Sequence, residues 1–100
     1  MDDQNIPQKI QWKSEEGPQA NRWLASKAMA ISFFDKEHKD TYKLDLWTKD
    51  MQVGEMDRFM YNTLKGLAET YFKATHNHQL FNDMQSFVEY FGKQTKILTE

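Results

Sequence analysis

Two histidines one residue apart, His76 and His78, are the first groups in this chain that could hold a metal ion or move a proton. A metal-dependent hydrolase built on them needs two or more further ligands, and Glu69 or Asp83 would have to be recruited. The third histidine, His38, lies far upstream. Two imidazoles in a polar turn between helices are more commonly solvated, and no metal ligand is expected here. Four carboxylates, Asp45, Asp50, Glu55 and Asp57, crowd one short stretch. A general acid/base pair among them would need a pKa raised by burial or by like charge. Strand alternation, loop polarity and the positive end of a helix dipole already account for most of them. Ser14, Ser26, Ser32 and Ser86 lack a nucleophile-elbow context, and there is no glycine-rich phosphate loop. The chain has no cysteine, so it has no thiolate nucleophile, disulfide or zinc–cysteine site. The expectation is a protein that is not an enzyme, with no catalytic residues, no cofactor and no metal.

The elements that would position these residues are organised around the stretch from Tyr42 to Glu69. Its apolar residues first recur at every second position and then at every third or fourth, as in a strand running into a helix. Upstream, Lys9–Lys13 alternates, with Ile10 and Trp12 on one face, and predicts a strand over about 8–13. Residues 14–26 read as a polar connection with a Gly17-Pro18 turn, anchored only by Trp23-Leu24. A strand over about 27–34 puts Met29, Ile31 and Phe33 on one face, and a polar loop, 35–40, turns into a strand over about 41–47 carrying Tyr42, Leu44 and Leu46. Pairing the two apolar faces gives an antiparallel hairpin with one buried side, leaving Phe34 and Trp47 on the less covered one.

Helices are expected over about 54–75 and 78–93. The first carries the stripe Met56, Phe59, Met60, Leu64, Leu67, Tyr71 and Phe72, and the second Leu80, Phe81, Met84, Phe87, Val88 and Phe91. Gly66 is expected to permit close packing, Asn77 to cap the second helix, and Gly92 to end or weaken it. The sum is one α+β domain over residues 1–100, a small antiparallel sheet with one face covered by two C-terminal helices.

One hundred residues, 39% hydrophobic and 28% charged, suit a single globular domain. A net charge of −2 gives no signature of nucleic-acid binding. No apolar run approaches the roughly 18 residues that cross a bilayer, and the acidic, polar start is unlike a signal peptide, so a cytoplasmic location without a membrane span is expected. Aromatics are abundant at 14%. Those off the helical stripes (Trp23, Phe34, Trp47, Tyr61 and Tyr90) are surplus to the core. Trp23, Phe34 and Trp47 are the candidates for binding a protein partner, since aromatics concentrate at interfaces. The alternative is a small apolar ligand held between sheet and helices, against Met29, Ile31, Phe59 and Met60.

The run Leu44-Asp45-Leu46-Trp47-Thr48-Lys49-Asp50-Met51, with Val53, Glu55-Met56 and the helix through Phe59 and Thr63-Leu64, resembles the gliding motility-associated protein GldC family of Bacteroidetes. Ile6-Pro7, Lys9-Ile10 and Trp12, then Ala68, Thr70-Tyr71 and Ala74-Thr75, then Asp83-Met84, Phe87 and Tyr90-Phe91 extend the likeness over nearly the whole chain. Two departures stand out. Family members usually carry a further strand before the Pro7 region, and Gly54 occupies a place where an acidic capping residue is expected. The resemblance implies a small accessory component of the gliding apparatus, which is connected with type IX secretion. It would act through contacts with other proteins of that machinery and, as a further option, as a homodimer. The family supplies no catalytic or ligand-binding residues to carry over.

Overall fold

Alternating apolar residues pair as their period requires. In the computed structural model, which describes residues 9–12 and 23–98, strand β3 (Ala28–Phe34) runs antiparallel to β4 (Thr41–Trp47). The register sets Met29 opposite Leu46, Ile31 opposite Leu44 and Phe33 opposite Tyr42. Residues directly opposite share a face, so the six apolar side chains form one cross-strand ladder. The expected strand bounds and pairing are therefore those observed, apart from Lys27, which is a bend just before β3.

The hairpin loop is closed by its first residue. The Asp35 N–H donates to the Asp40 carbonyl at 2.8 Å, and Asp35 Oδ2 accepts from the backbone N–H groups of Glu37 and His38 at 3.1 and 2.6 Å. Short Asx side chains stabilise turns in this way. Lys39 takes the left-handed conformation needed to bring the chain back, with φ 59°.

A second pairing is not legible in the sequence. Strand β1 (Ile10–Trp12) pairs antiparallel with β2 (Leu24–Ser26), which falls inside the stretch expected to be a polar connection. Three residues are too few to establish a period of two, and the partner that makes them a strand lies about a dozen positions upstream. The described strands thus form two two-stranded sheets and not one of three strands. The expected turn at Gly17-Pro18 and the features around Ile6-Pro7 lie outside the described residues.

After β4 comes Thr48, buried although polar. Its N–H donates to the Lys27 carbonyl and its hydroxyl to Asp50 Oδ1, both at 2.6 Å, so neither polar group is left unsatisfied. Helix α1 (Val53–Thr75) starts at Gln52, whose N–H donates to Glu55 Oε1 at 3.0 Å. Glu55 thereby supplies the capping carboxylate that Gly54 cannot. His76 ends α1 in the left-handed conformation, its N–H donating to the Phe72 carbonyl at 2.7 Å. Helix α2 (His78–Gln94) follows at once, with the Asn77 side chain accepting from the Leu80 N–H at 3.0 Å, as its N-cap position predicts.

The two-residue connection folds α1 and α2 back on each other as an antiparallel pair. Phe72 meets Phe81 near the connection, with centroids 4.7 Å apart, and Tyr61 reaches Gly92 at the far end. Buried Ala68 and Val88 lie along the seam. The roles expected of the two glycines are reversed. Gly66 has open space where a Cβ would stand, whereas Gly92 is buried within a continuous α2 and crowded by Tyr61 and Leu98. The chain divides into two compact units, Met1–Met51 and Gln52–Glu100, which hold the strands and the helices respectively. They form an α+β chain.

Candidate interaction surfaces

The histidines are placed by packing. The rings of His76 and His78 both stand edge-on to Phe72, at centroid distances of 5.8 and 4.8 Å. Among the described residues no three or more His, Cys, Asp or Glu gather where they could hold a metal ion. The remaining histidine, His38, places Nδ1 3.1 Å from Asp35 Oδ2 in the hairpin loop.

Each carboxylate near the strand-to-helix junction has a local structural partner or position. Asp45 takes the Lys43 ammonium at 3.3 Å on one face of β4. Asp50 accepts the Thr48 hydroxyl, which, with the Lys27 charge, holds its carboxyl below the usual 3.8 against a smaller opposing effect of burial. Glu55 caps α1 in its first turn, where negative charge is favourable, and Asp57 follows two residues later. The lowered pKa of Asp50 suits a fixed anion and opposes a general-acid role for that residue. Ser86 turns its hydroxyl back onto the Asn82 carbonyl at 3.0 Å, a bond within its own helix. Ser14 lies outside the described residues.

Trp23, Phe34 and Trp47 are all exposed. They do not form one patch. Phe34 is paired with Thr41 at the loop end of the hairpin, whereas Trp47 is paired with Ala28 at the other end. Six registers separate them, about 20 Å at 3.3 Å per residue, and the Lys43–Asp45 ion pair stands on the same face between them. Trp23 immediately precedes β2.

The contiguous apolar surface of the first unit is the opposite face, which the alternation assigns to the core. Exposure there is 36% at Ile31, 47% at Leu44, 55% at Tyr42 and 64% at Phe33, with Met29 and Leu46 half-buried. Alternation shows that a face is apolar; it carries no information on what covers it. The same correction applies to the helices, where Met60, Leu67, Leu80 and Phe87 of the expected inward stripes are exposed. Packing two helices against each other buries only the arc that each turns to its partner, which is narrower than these stripes.

Among the described residues, open hollows border these elements. One of about 280 Å³ runs along α1 and α2 between Lys65 and Glu89, over a floor of Ala68 and Val88. One of about 690 Å³ lies beside the start of α1, against Arg58 and Lys96, and one of about 320 Å³ is bordered by Ile10, Ser26 and Thr48. Of the residues expected to line an apolar-ligand cavity, Met29 and Ile31 belong to β3, and Phe59 and Met60 to α1. No described helix is long and apolar enough to cross a membrane.

No curated protein and no solved structure matches the chain. A family model does, over residues 7–97, and its description is gliding motility-associated protein GldC-like. That span includes every strand and helix described above, together with the Asp45-to-Met51 junction that carries the resemblance. The chain belongs to the GldC-like family of gliding motility-associated proteins.

Proposed function

We propose that this protein is a non-enzymatic accessory of the gliding apparatus and its associated type IX secretion, working in the cytoplasm through contacts with other protein components and with a second copy of itself. The observation that carries the reading is the exposed cross-strand ladder on β3–β4, in a chain whose family is tied to gliding motility. Exposed contiguous apolar patches on soluble domains commonly mark sites of association. A two-stranded hairpin is also marginal in water by itself and gains stability from whatever covers it. Phe34 and Trp47, on the other face of the hairpin, and Trp23 before β2 offer separate exposed aromatic contacts to protein partners.

Affinity capture from a gliding bacterium tests this, with bound proteins identified by mass spectrometry and a Phe33→Glu variant run in parallel. The expected result is capture of at least one component of the gliding machinery, lost with Phe33→Glu while circular dichroism shows the helices intact. Equal capture by both chains, or no gliding component with either, overturns the reading.

A further inference from the structure

The α1–α2 hairpin carries an apolar face of its own. Val53, Met60 and Leu67 recur at intervals of seven along α1, and Leu80 and Phe87 do so along α2, with Tyr90 beside them. All six are 38–79% exposed. Sevenfold spacing keeps side chains on one line of a helix, drifting only about 20° per repeat. Leu67 directly precedes buried Ala68, and Phe87 directly precedes buried Val88. One residue is about 100° of rotation, so each exposed stripe stands a quarter turn from the seam, in the same sense on both helices. Because the helices are antiparallel, that equal offset puts both stripes on one side of the pair.

We propose that this face docks against the same face of a second copy of the chain, about a two-fold axis, to close a four-helix bundle. It deepens the reading of the protein as a contact module by naming one partner and its surface. A two-helix layer with one apolar side is half of such a bundle, and a two-fold interface needs a surface complementary to itself. The α1 stripe residues are uncharged. On α2, Asp83 falls near the stripe at its N-terminal end, where an interface has its solvated rim. The area is sufficient. At about 200 Å² for a large side chain, the six residues expose roughly 600 Å² per copy. Two copies would bury roughly 1,200 Å², the lower bound for a specific, stable interface. Half-buried Leu64, Tyr71 and Phe91 adjoin the same arc and add to it.

Sedimentation equilibrium on the full chain across the micromolar range is the test. The expected mass is twice the 11.9 kDa of one chain, with the dimer's dissociation constant raised at least tenfold by Leu67→Glu and by Phe87→Glu. Helical circular dichroism reports folding. Because the chain has no cysteine, single Leu67→Cys and Lys65→Cys variants provide a second measurement; disulfide-linked dimers should form readily with the first and not with the second, which faces the opposite groove. A monomer throughout the concentration range overturns the proposal. So does a dimer indifferent to both glutamate variants, or one disrupted only by Phe33→Glu. Capture of gliding components by a monomeric chain removes this proposal and the self-association, and leaves the proposed contacts with the gliding machinery standing; loss of capture with the dimer intact does the reverse.

Discussion

The same substitution should have opposite signs at two glycines of the helical hairpin. Glycine inside a helix is about 1 kcal/mol less favourable than alanine, because it restricts more backbone freedom on folding. At Gly66 a Cβ would meet no atom within 4 Å, so Gly66→Ala should stabilise by about 1 kcal/mol and raise the melting temperature by about 4–8 °C. At Gly92 the new Cβ would lie 2.7 Å from both Leu98 Cδ1 and Tyr61 Cε1, and 2.8 Å from Leu98 Cγ. Relieving that overlap costs about 1–3 kcal/mol. It also displaces the segment whose Leu98 N–H donates to the Gly92 carbonyl at 3.0 Å. The overlap outweighs the gain in propensity, and Gly92→Ala should destabilise by up to about 2 kcal/mol. Thermal unfolding followed by far-UV circular dichroism reads both. Adding Leu98→Ala to Gly92→Ala should recover part of the loss, since contacting sites couple. If Gly92→Ala raised the melting temperature as much as Gly66→Ala does, the close approach of Gly92 to Tyr61 and Leu98 would be refuted.

Removing the α2 cap with Asn77→Ala should cost about 1 kcal/mol in the same melt, with Asn77→Asp near neutral; equal stability of all three chains would count against the Asn77–Leu80 bond. In the hairpin loop the Asp35 carboxyl is held below its ordinary 3.8, first by the His38 N–H and further by the His38 side chain and the Glu37 N–H, with desolvation opposing. A folded-state pKa below the unfolded one gives stabilisation that is present above the ordinary value and lost as pH falls through the folded value. The acid-range step in the NMR shift of the His38 amide should therefore be centred below pH 3.8, and a flat response in acid would rule out the loop's carboxylate clamp. Thr48→Val deletes the hydroxyl that donates to Asp50, so the Asp50 carboxyl, titrated by NMR, should rise toward its ordinary value. An unchanged titration would assign the depression to the Lys27 charge and the Asp50 backbone N–H.

Much of this protein is decided by local pattern. The alternation at Met29–Phe33 and Tyr42–Leu46 determined two strands and their pairing, because a one-residue slip would mix apolar and polar faces. The change of period after Trp47, Asn77 before Leu80 and the stripes that follow determined two helices to within a residue or two. The Leu44-to-Met51 string carried the resemblance to the family, which the match over residues 7–97 shows. Tertiary structure decided what no local pattern encodes. Leu24–Ser26 is a strand only because Ile10–Trp12 lies beside it. Gly92 and Gly66 have the same chemistry and opposite surroundings, set by a tail that turns back onto one and not the other. Trp47 and Phe34, both surplus aromatics in the sequence, end up at opposite ends of a hairpin face with an ion pair between them. Periodicity records which side chains share a face, through φ, ψ and the pitch of each element; whether that face is covered depends on contacts between residues far apart in the chain.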